Sequence, residues 1–221
     1  MKTSLNTIFL FILLMLLNIQ SGAQTISFSI ICHQTETNKS SIINQSDYKI
    51  SKFKFYLSNI RLYNDNNIID QEIYSYHLID LLDTSKDKLI IKRNNNLTYN
   101  KIEFDLGIDS ATNVSGALEG DLDPTNNMYW TWQSGYINLK FEGSIDDGVI
   151  REYHLGGYAY PNNALQKLSF KLNNSGITTI YIHLDDFIHS IPDSIPFKLM
   201  TPEPKAVYLS HLFAKCLSSE K

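Results

Sequence analysis

Apolar residues along this chain fall in short runs with a two-residue rhythm, separated by polar stretches rich in Asn, Asp and Gly. Residues 26–31 alternate imperfectly, 53–63 carry Phe53-x-Phe55-x-Leu57 with Ile60 beyond it, and 73–82 are rich in aromatic and aliphatic groups. Successive strand side chains point to opposite faces, so such runs predict strands. Further strands are predicted over 88–91, 99–106, 135–142, 150–155, 165–172 and 178–184. The Asn-rich segments 64–67 and 94–96, with Asp146-Asp147-Gly148 and Asn173-Asn174-Ser175-Gly176, supply turn chemistry between them. After Pro202 and Pro204 the rhythm changes, and Ala206, Leu209, Leu212, Phe213 and Leu217 recur near helical spacing. The whole pattern predicts an all-β fold, an antiparallel β-sandwich or barrel-like domain closed at one end by a C-terminal helix.

The first residues follow a different logic. Lys2 gives a positive start, residues 8–17 form an unbroken apolar run of ten, and Ser21-Gly22-Ala23 offers small residues for cleavage before Gln24. This predicts a signal peptide over 1–23 and one mature domain over 24–221, periplasmic or secreted. The apolar run is short for a membrane span, which needs roughly 20 residues. No cysteine follows the small residues to carry a lipid, so no membrane span or anchor is expected after cleavage. Removing Lys2 takes the net charge from -4 to -5, with both signs interspersed and no basic patch. Nucleic acid is therefore a poor partner, and an anionic membrane surface is disfavoured. Cys32 and Cys216 lie at opposite ends of the mature chain, where they either close one long loop or stand as separate thiols.

Candidate chemistry concentrates in few places. Both tryptophans stand in Tyr129-Trp130-Thr131-Trp132-Gln133-Ser134-Gly135-Tyr136. In a strand, Trp130 and Trp132 would share a face, as a core ridge, an aromatic binding platform with Tyr129 and Tyr136, or part of a site. The six histidines are His33, His77, His154, His183, His189 and His211, and no two have the i, i+4 helical spacing of a zinc hydrolase. A metal site would have to be assembled from separate strands. His154 precedes the paired glycines Gly156 and Gly157, His33 ends the first mature strand, and His77 lies within a strand pattern. An imidazole pair with little oxygen ligation suits copper or zinc better than calcium. Asp121-Leu122-Asp123-Pro124-Thr125-Asn126-Asn127 superficially resembles the start of a calcium loop. It breaks where Asn126 takes the glycine position and Trp132 the bidentate glutamate position. No acid/base pair, nucleophile elbow or phosphate-cradling glycine loop is evident, so catalysis is not expected.

Taken in order, several elements carry a resemblance. They are Phe55-Tyr56-Leu57-Ser58-Asn59-Ile60, Tyr76-His77-Leu78-Ile79-Asp80, Phe104-Asp105-Leu106-Gly107-Ile108-Asp109, Leu122-Asp123-Pro124 through Tyr136, and His154-Leu155-Gly156-Gly157. Together they resemble the MbnP-like family of secreted copper-binding proteins. The resemblance implies a β-rich periplasmic or secreted protein that binds copper through histidines. It also implies conversion of a tryptophan to kynurenine by a diheme peroxidase-like partner. Carried over residue by residue, it makes His33 and His154 the metal ligands, with Trp130 and Trp132 as modified or site-adjacent residues. His77 matches an element that looks structural, and Glu203 stands where a glycine is expected near Met200-Thr201-Pro202. A non-catalytic extracellular binding or adhesion module that keeps the scaffold without metal is the alternative.

Overall fold

The computed structural model describes residues 23–32, 35–37, 48–92, 98–132, 135–145, 148–172 and 177–220. The smaller of its two sheets is built around β1 (Ala23–Cys32), parallel to β12 (Ile177–His183) and antiparallel to β2 (Thr35–Thr37) and β6 (Lys88–Lys92). A short β14 (Leu217–Ser218) flanks β12 on its other side. The larger sheet runs in the order β11 (Gln166–Lys171), β7 (Lys101–Leu106), β3 (Tyr48–Asn64), β9 (Gly135–Ile145), β10 (Arg151–Gly156) and β13 (Lys198–Leu199). On it, β4 (Asn67–Gln71) and β5 (Tyr76–Asp80) pair with β3, and β8 (Tyr129–Trp130) pairs with β9. The chain is all-β as predicted, with the strands curled into a half-barrel. Among the described residues, pairing is antiparallel except at β1–β12 and β10–β13.

The long β3 explains the curl. Its residues 48–55 pair with β9 and residues 57–63 with β7, with a register shift between Ser58 and Arg61 where Asn59 adopts φ 53°. Asparagine tolerates that left-handed conformation better than most residues, and an extra residue bends a strand. The bulge also inverts parity. Phe53, Phe55 and Leu57 face the main core before it, and Ile60 and Leu62 face the same core after it. Without the bulge, the second half of β3 would turn those side chains to the other face.

The main core lies between the two sheets. Ile26, Ile180 and Ile182 from the small sheet meet Phe53, Phe55, Phe141, Tyr153 and Leu155 from the large one. Helix α2 (Leu184–His189) and helix α3 (Pro204–Lys215) add Phe187, Ala206, Leu209 and Phe213 to it. Phe53 sits at the centre, its ring 5.5 Å from Phe141 and 5.8 Å from Phe213, both edge to face. Each such buried side chain contributes about 1.5–3 kcal/mol relative to exposure. Helix α3 is the predicted closing helix, opened by Pro204 in its first turn, where a missing N–H costs nothing. Among the described residues no helix is long and apolar enough to cross a membrane.

A second core forms on the opposite face of the large sheet. Tyr56, Leu78, Ile108, Leu122, Met128, Trp130, Tyr136 and Ile137 pack together there. They are covered by a segment containing α1 (Ser110–Ser115) and 3-10 turns at Gly120–Leu122 and Pro124–Asn126. Buried Asn113 ties this segment down, donating to the carbonyls of Ile108 and Asp109 and accepting from the N–H of Tyr136.

Several predicted boundaries shift. Residues 73–82 are not one strand: Ile73 and Tyr74 are exposed in a turn, Tyr74 has φ 55°, and β5 begins only at Tyr76. Apolar content there reflects an exposed turn that interrupts the chain between β4 and β5, both paired with β3, not a pleated core strand. The Asn-rich turn shortens to Asp65-Asn66, and Asn67 already opens β4. Leu184 starts α2 instead of ending β12. Cys216 carries a free, buried thiol whose pKa is pushed up to about 11 by burial, with a smaller contribution from the Asp186 charge. Strand β12 stands between β14, which Cys216 precedes, and β1.

Candidate functional site

Strand β9 brings the tryptophan segment and the His154-Leu155-Gly156-Gly157 element together. It pairs with β8 through Tyr129–Tyr136 and Trp130–Gly135, and with β10 through Lys140–His154 and, after a register shift, Ile137–Gly156. The indole of Trp130 lies directly on Gly156: a Cβ there would sit 2.8 Å from Trp130 Cζ3 and 2.6 Å from the carbonyl oxygen of Tyr136. Only glycine leaves room for so close an approach. Gly135 serves similarly, since a Cβ on it would meet the Tyr158 ring at 3.2 Å.

The two tryptophans do not share a strand face. Strand β8 ends at Trp130, and Trp132 falls in the turn that follows. Trp130 is 6% exposed and belongs to the second core, whereas Trp132 is 62% exposed, with ring centroids 6.0 Å apart and planes inclined by 50°. Tyr136 is buried and Tyr129 half-buried, so the four rings do not form an open platform. Trp132 is the exposed ring among them.

Next to this contact, the outward face of the large sheet carries a ladder of charges. Asp80, Lys54, Lys140 and His154 stand in register across β5, β3, β9 and β10. One step along, Lys52, Glu142, Glu152 and Lys198 do the same across β3, β9, β10 and β13. A diagonal contact from His154 to Glu142 joins the rows, and Lys52 meets Glu142 within its own row. His154 Nε2 is 2.8 Å from Glu142 Oε1, and Lys52 Nζ donates to Glu142 Oε2 at 2.8 Å. Lys140 Nζ donates to the Asn127 carbonyl at 3.1 Å and lies 3.8 Å from Glu142 Oε1.

Electrostatics define the protonation states. Burial, with help from the nearby Lys140 and Lys52 charges, pulls the His154 pKa below its ordinary value against the opposing effect of Glu142. His154 is only 8% exposed, so its neutral form is favoured and its contact with Glu142 is a hydrogen bond more than an ion pair. Burial works against ionisation of Glu142. The hydrogen bonds from Lys52 and His154 and the charges of Lys52 and Lys140 together outweigh it and hold the carboxyl below the ordinary glutamate value. Burial likewise lowers the Lys140 ammonium pKa, opposed chiefly by the Glu142 charge.

These shifts predict acid lability. An unfolded histidine binds a proton as pH falls through about 6.5, while folded His154 resists it. Its contribution is therefore present above about pH 6.5 and lost below it. The contribution of Glu142 is present above about pH 4.5 and is lost as pH falls through its lower folded pKa. Unfolding free energy from urea titrations should decline from about pH 7 to about pH 4. His154→Gln should flatten the upper part of that decline, and an unchanged slope between about pH 6.5 and 5 would contradict the assignment.

The other predicted positions serve varied ends. His33 lies outside the described residues. His77 Nε2 contacts Glu72 Oε2 at 2.6 Å, and Ser75 Oγ donates to the same carboxylate oxygen, an arrangement that ties the β4–β5 turn together. His183 reaches Ser218 across β12–β14, and exposed His211 reaches Gln166. In the calcium-like segment, Asp121 Oδ2 accepts from the Leu78 N–H and Asp123 Oδ1 from the N–H and hydroxyl of Thr125. Asp123 thus caps the 3-10 turn at Pro124–Asn126, and Asp121 ties its own turn to β5. Among the described residues no group of three or more His, Cys, Asp or Glu side chains is placed to hold a metal ion.

A copper ion is nevertheless compatible with what His154 offers. A neutral imidazole is the ligating form, and a carboxylate on the remote nitrogen is the usual orienting partner of a ligating histidine. The described residues thus supply one suitable nitrogen donor, His154. Glu142 and Lys52 were not picked out by sequence reasoning. The alternating Lys52-x-Lys54 and Lys140-x-Glu142 would have indicated a polar strand face, but not which charge meets which.

The comparisons with known proteins agree with this architecture. Among curated proteins nothing matches. Among solved structures, MbnP from Methylosinus trichosporium has a TM-score of 0.58 and 13% sequence identity, over 84% of this chain and 86% of that chain. At such identity the likeness concerns the fold. The family model described as MbnP matches residues 20–193, which include the Trp130 segment, Glu142 and the His154 element. With most of its length covered in this way, the chain belongs to the MbnP family.

Proposed function

We propose that this chain is an exported copper-binding protein without turnover of its own, in which His154 is one ligand and His33 the second. The observation that carries the proposal is the buried imidazole of His154, held by Glu142 on the strand against which Trp130 packs. Family membership and the signal-like residues 1–23 support export to the periplasm or medium. Copper, when bound, would be held by imidazole nitrogens, which suit that metal. The chain's own contribution is to keep His154 neutral, oriented and shielded from bulk water. A tryptophan-to-kynurenine conversion by a diheme peroxidase-like partner would fall on Trp132 before Trp130, because Trp132 is open to solvent.

The test is a Cu(I) titration of the mature chain against a chromophoric chelator. One equivalent should bind, and His154→Ala and His33→Ala should each weaken binding by more than about 10-fold, the lower end of what even an outer-shell partner carries. Peptide mass mapping of protein recovered from its native host locates any kynurenine. Absence of stoichiometric Cu(I) uptake by the intact chain would refute the proposal, and the binding module without metal would replace it.

A further inference from the structure

We infer that Glu142 is a positioning residue that fixes the tautomer of His154, so that Nε2 carries the proton and Nδ1 is the nitrogen presented to a metal. The inference deepens the copper proposal and rests on it for the role of Nδ1. The tautomer itself follows from geometry alone. His154 Nε2 and Glu142 Oε1 are 2.8 Å apart, and the other oxygen of the same carboxylate receives Lys52 Nζ at 2.8 Å. A carboxylate paired with an ammonium group is ionised and can only accept, so the proton in the His154–Glu142 bond must come from the imidazole. A neutral imidazole has one donor and one acceptor, so Nδ1 keeps its lone pair. That nitrogen has no hydrogen-bond partner among the described residues.

The strand register keeps this arrangement in place. Lys52 stands directly opposite Glu142 on β3, and Lys140 stands directly opposite His154 on β9. Lys52 therefore holds one carboxylate oxygen while the other is turned to the imidazole. Lys140 is drawn aside by the Asn127 carbonyl at 3.1 Å, which keeps its ammonium from replacing His154 on Oε1, 3.8 Å away. A ligating histidine commonly donates its remote N–H to a carboxylate, and loss of such a partner typically weakens metal binding by about 10- to 100-fold. Glu142 has the position and the charge for that role.

The test uses the mature wild-type chain and two variants, each labelled with nitrogen-15 and recorded in long-range proton–nitrogen spectra of the imidazole. Metal-free wild type should show His154 with the proton on Nε2. In Glu142→Gln the side chain has a single oxygen, for which the Lys52 ammonium competes more strongly than a neutral imidazole. The amide NH2 then faces Nε2 and should drive the proton to Nδ1, with Cu(I) affinity falling about 10- to 100-fold. Combining it with Lys52→Met removes the competitor and should restore the Nε2–H form and most of the affinity. A purely structural Glu142 would produce neither the tautomer exchange nor its rescue.

A wild-type His154 protonated on Nδ1, or one unaltered by Glu142→Gln, would overturn the inference, and the first of these needs no variant to fold. Cu(I) added to wild type should shift Nδ1 and leave the Nε2–H signal in place. A shift of Nε2 instead would also overturn it. If neither nitrogen responds, the copper proposal fails and takes the metal-facing role of Nδ1 with it, while the Glu142-fixed tautomer remains separately established by the metal-free spectra.

Discussion

Phe53→Ala should lower the unfolding free energy by about 3–5 kcal/mol, the range for removing a fully buried aromatic ring. Phe53 is wholly inaccessible to solvent and stands where both sheets and α3 converge, with edge-to-face contacts to Phe141 at 5.5 Å, Phe213 at 5.8 Å and Phe55 at 6.4 Å. Those neighbours belong to β9, to α3 and to β3 itself, so none can collapse into the void without disturbing another. The cavity term therefore adds to the lost transfer free energy. Urea or guanidinium titrations measure the difference. Tyr160→Ala is the control, because that side chain is 97% exposed and its loss should stay within about 0.5 kcal/mol. A Phe53→Ala loss no larger than the control's would show that the sheets do not pack on this ring.

Gly156→Val should destabilise the protein by about 3 kcal/mol, the upper end of ordinary overpacking, and should expose Trp130. Even a single Cβ would approach the Tyr136 carbonyl oxygen to 2.6 Å and the Trp130 ring to 2.8 Å. The carbonyl cannot recede without disrupting the β9–β10 ladder, so the indole must move. Because Trp132 is already exposed, a red shift of the tryptophan emission reports Trp130 specifically. Weaker Cu(I) binding should accompany that shift, since Gly156 is two residues from His154 on the same strand. Unchanged emission with full stability would mean that Trp130 does not depend on this contact.

Much of the fold was legible along the chain. Alternating apolar residues mark strands because one face of each must leave water, and Phe53, Phe55 and Leu57 show this cleanly. The step from Leu57 to Ile60 is an odd interval within that run, and it records the bulge at Asn59 that only the paired strands make recognisable. Residues Ile73 and Tyr74 misled for a physical reason: an apolar pair in the turn between β4 and β5 has the same composition as a strand, and only its neighbours reveal that nothing covers it. Short β4, β13 and β14 had no pattern long enough to read, since their pairing comes from partners remote in sequence.

The site was legible in its parts and not in its assembly. His154, Gly156 and Trp130 were each visible as residue types with a chemical use. Their meeting depends on β9 pairing with β8 on one side and β10 on the other. Glu142 lay hidden for a similar reason: one acidic residue among many acquires a role only when Lys52 and His154 reach its two oxygens.

By itself, the sequence determined the all-β class, the closing helix over α3, the family-bearing elements and the residues whose chemistry suits copper. These follow from local periodicity and side-chain type, which neighbours along the chain carry. Tertiary structure alone decided that Trp130 is core and Trp132 surface, that β1 and β12 run parallel, and that Glu142 is the partner of His154. Burial, register and hydrogen-bond direction are relations between distant strands, and a linear pattern holds no record of which strands will lie side by side.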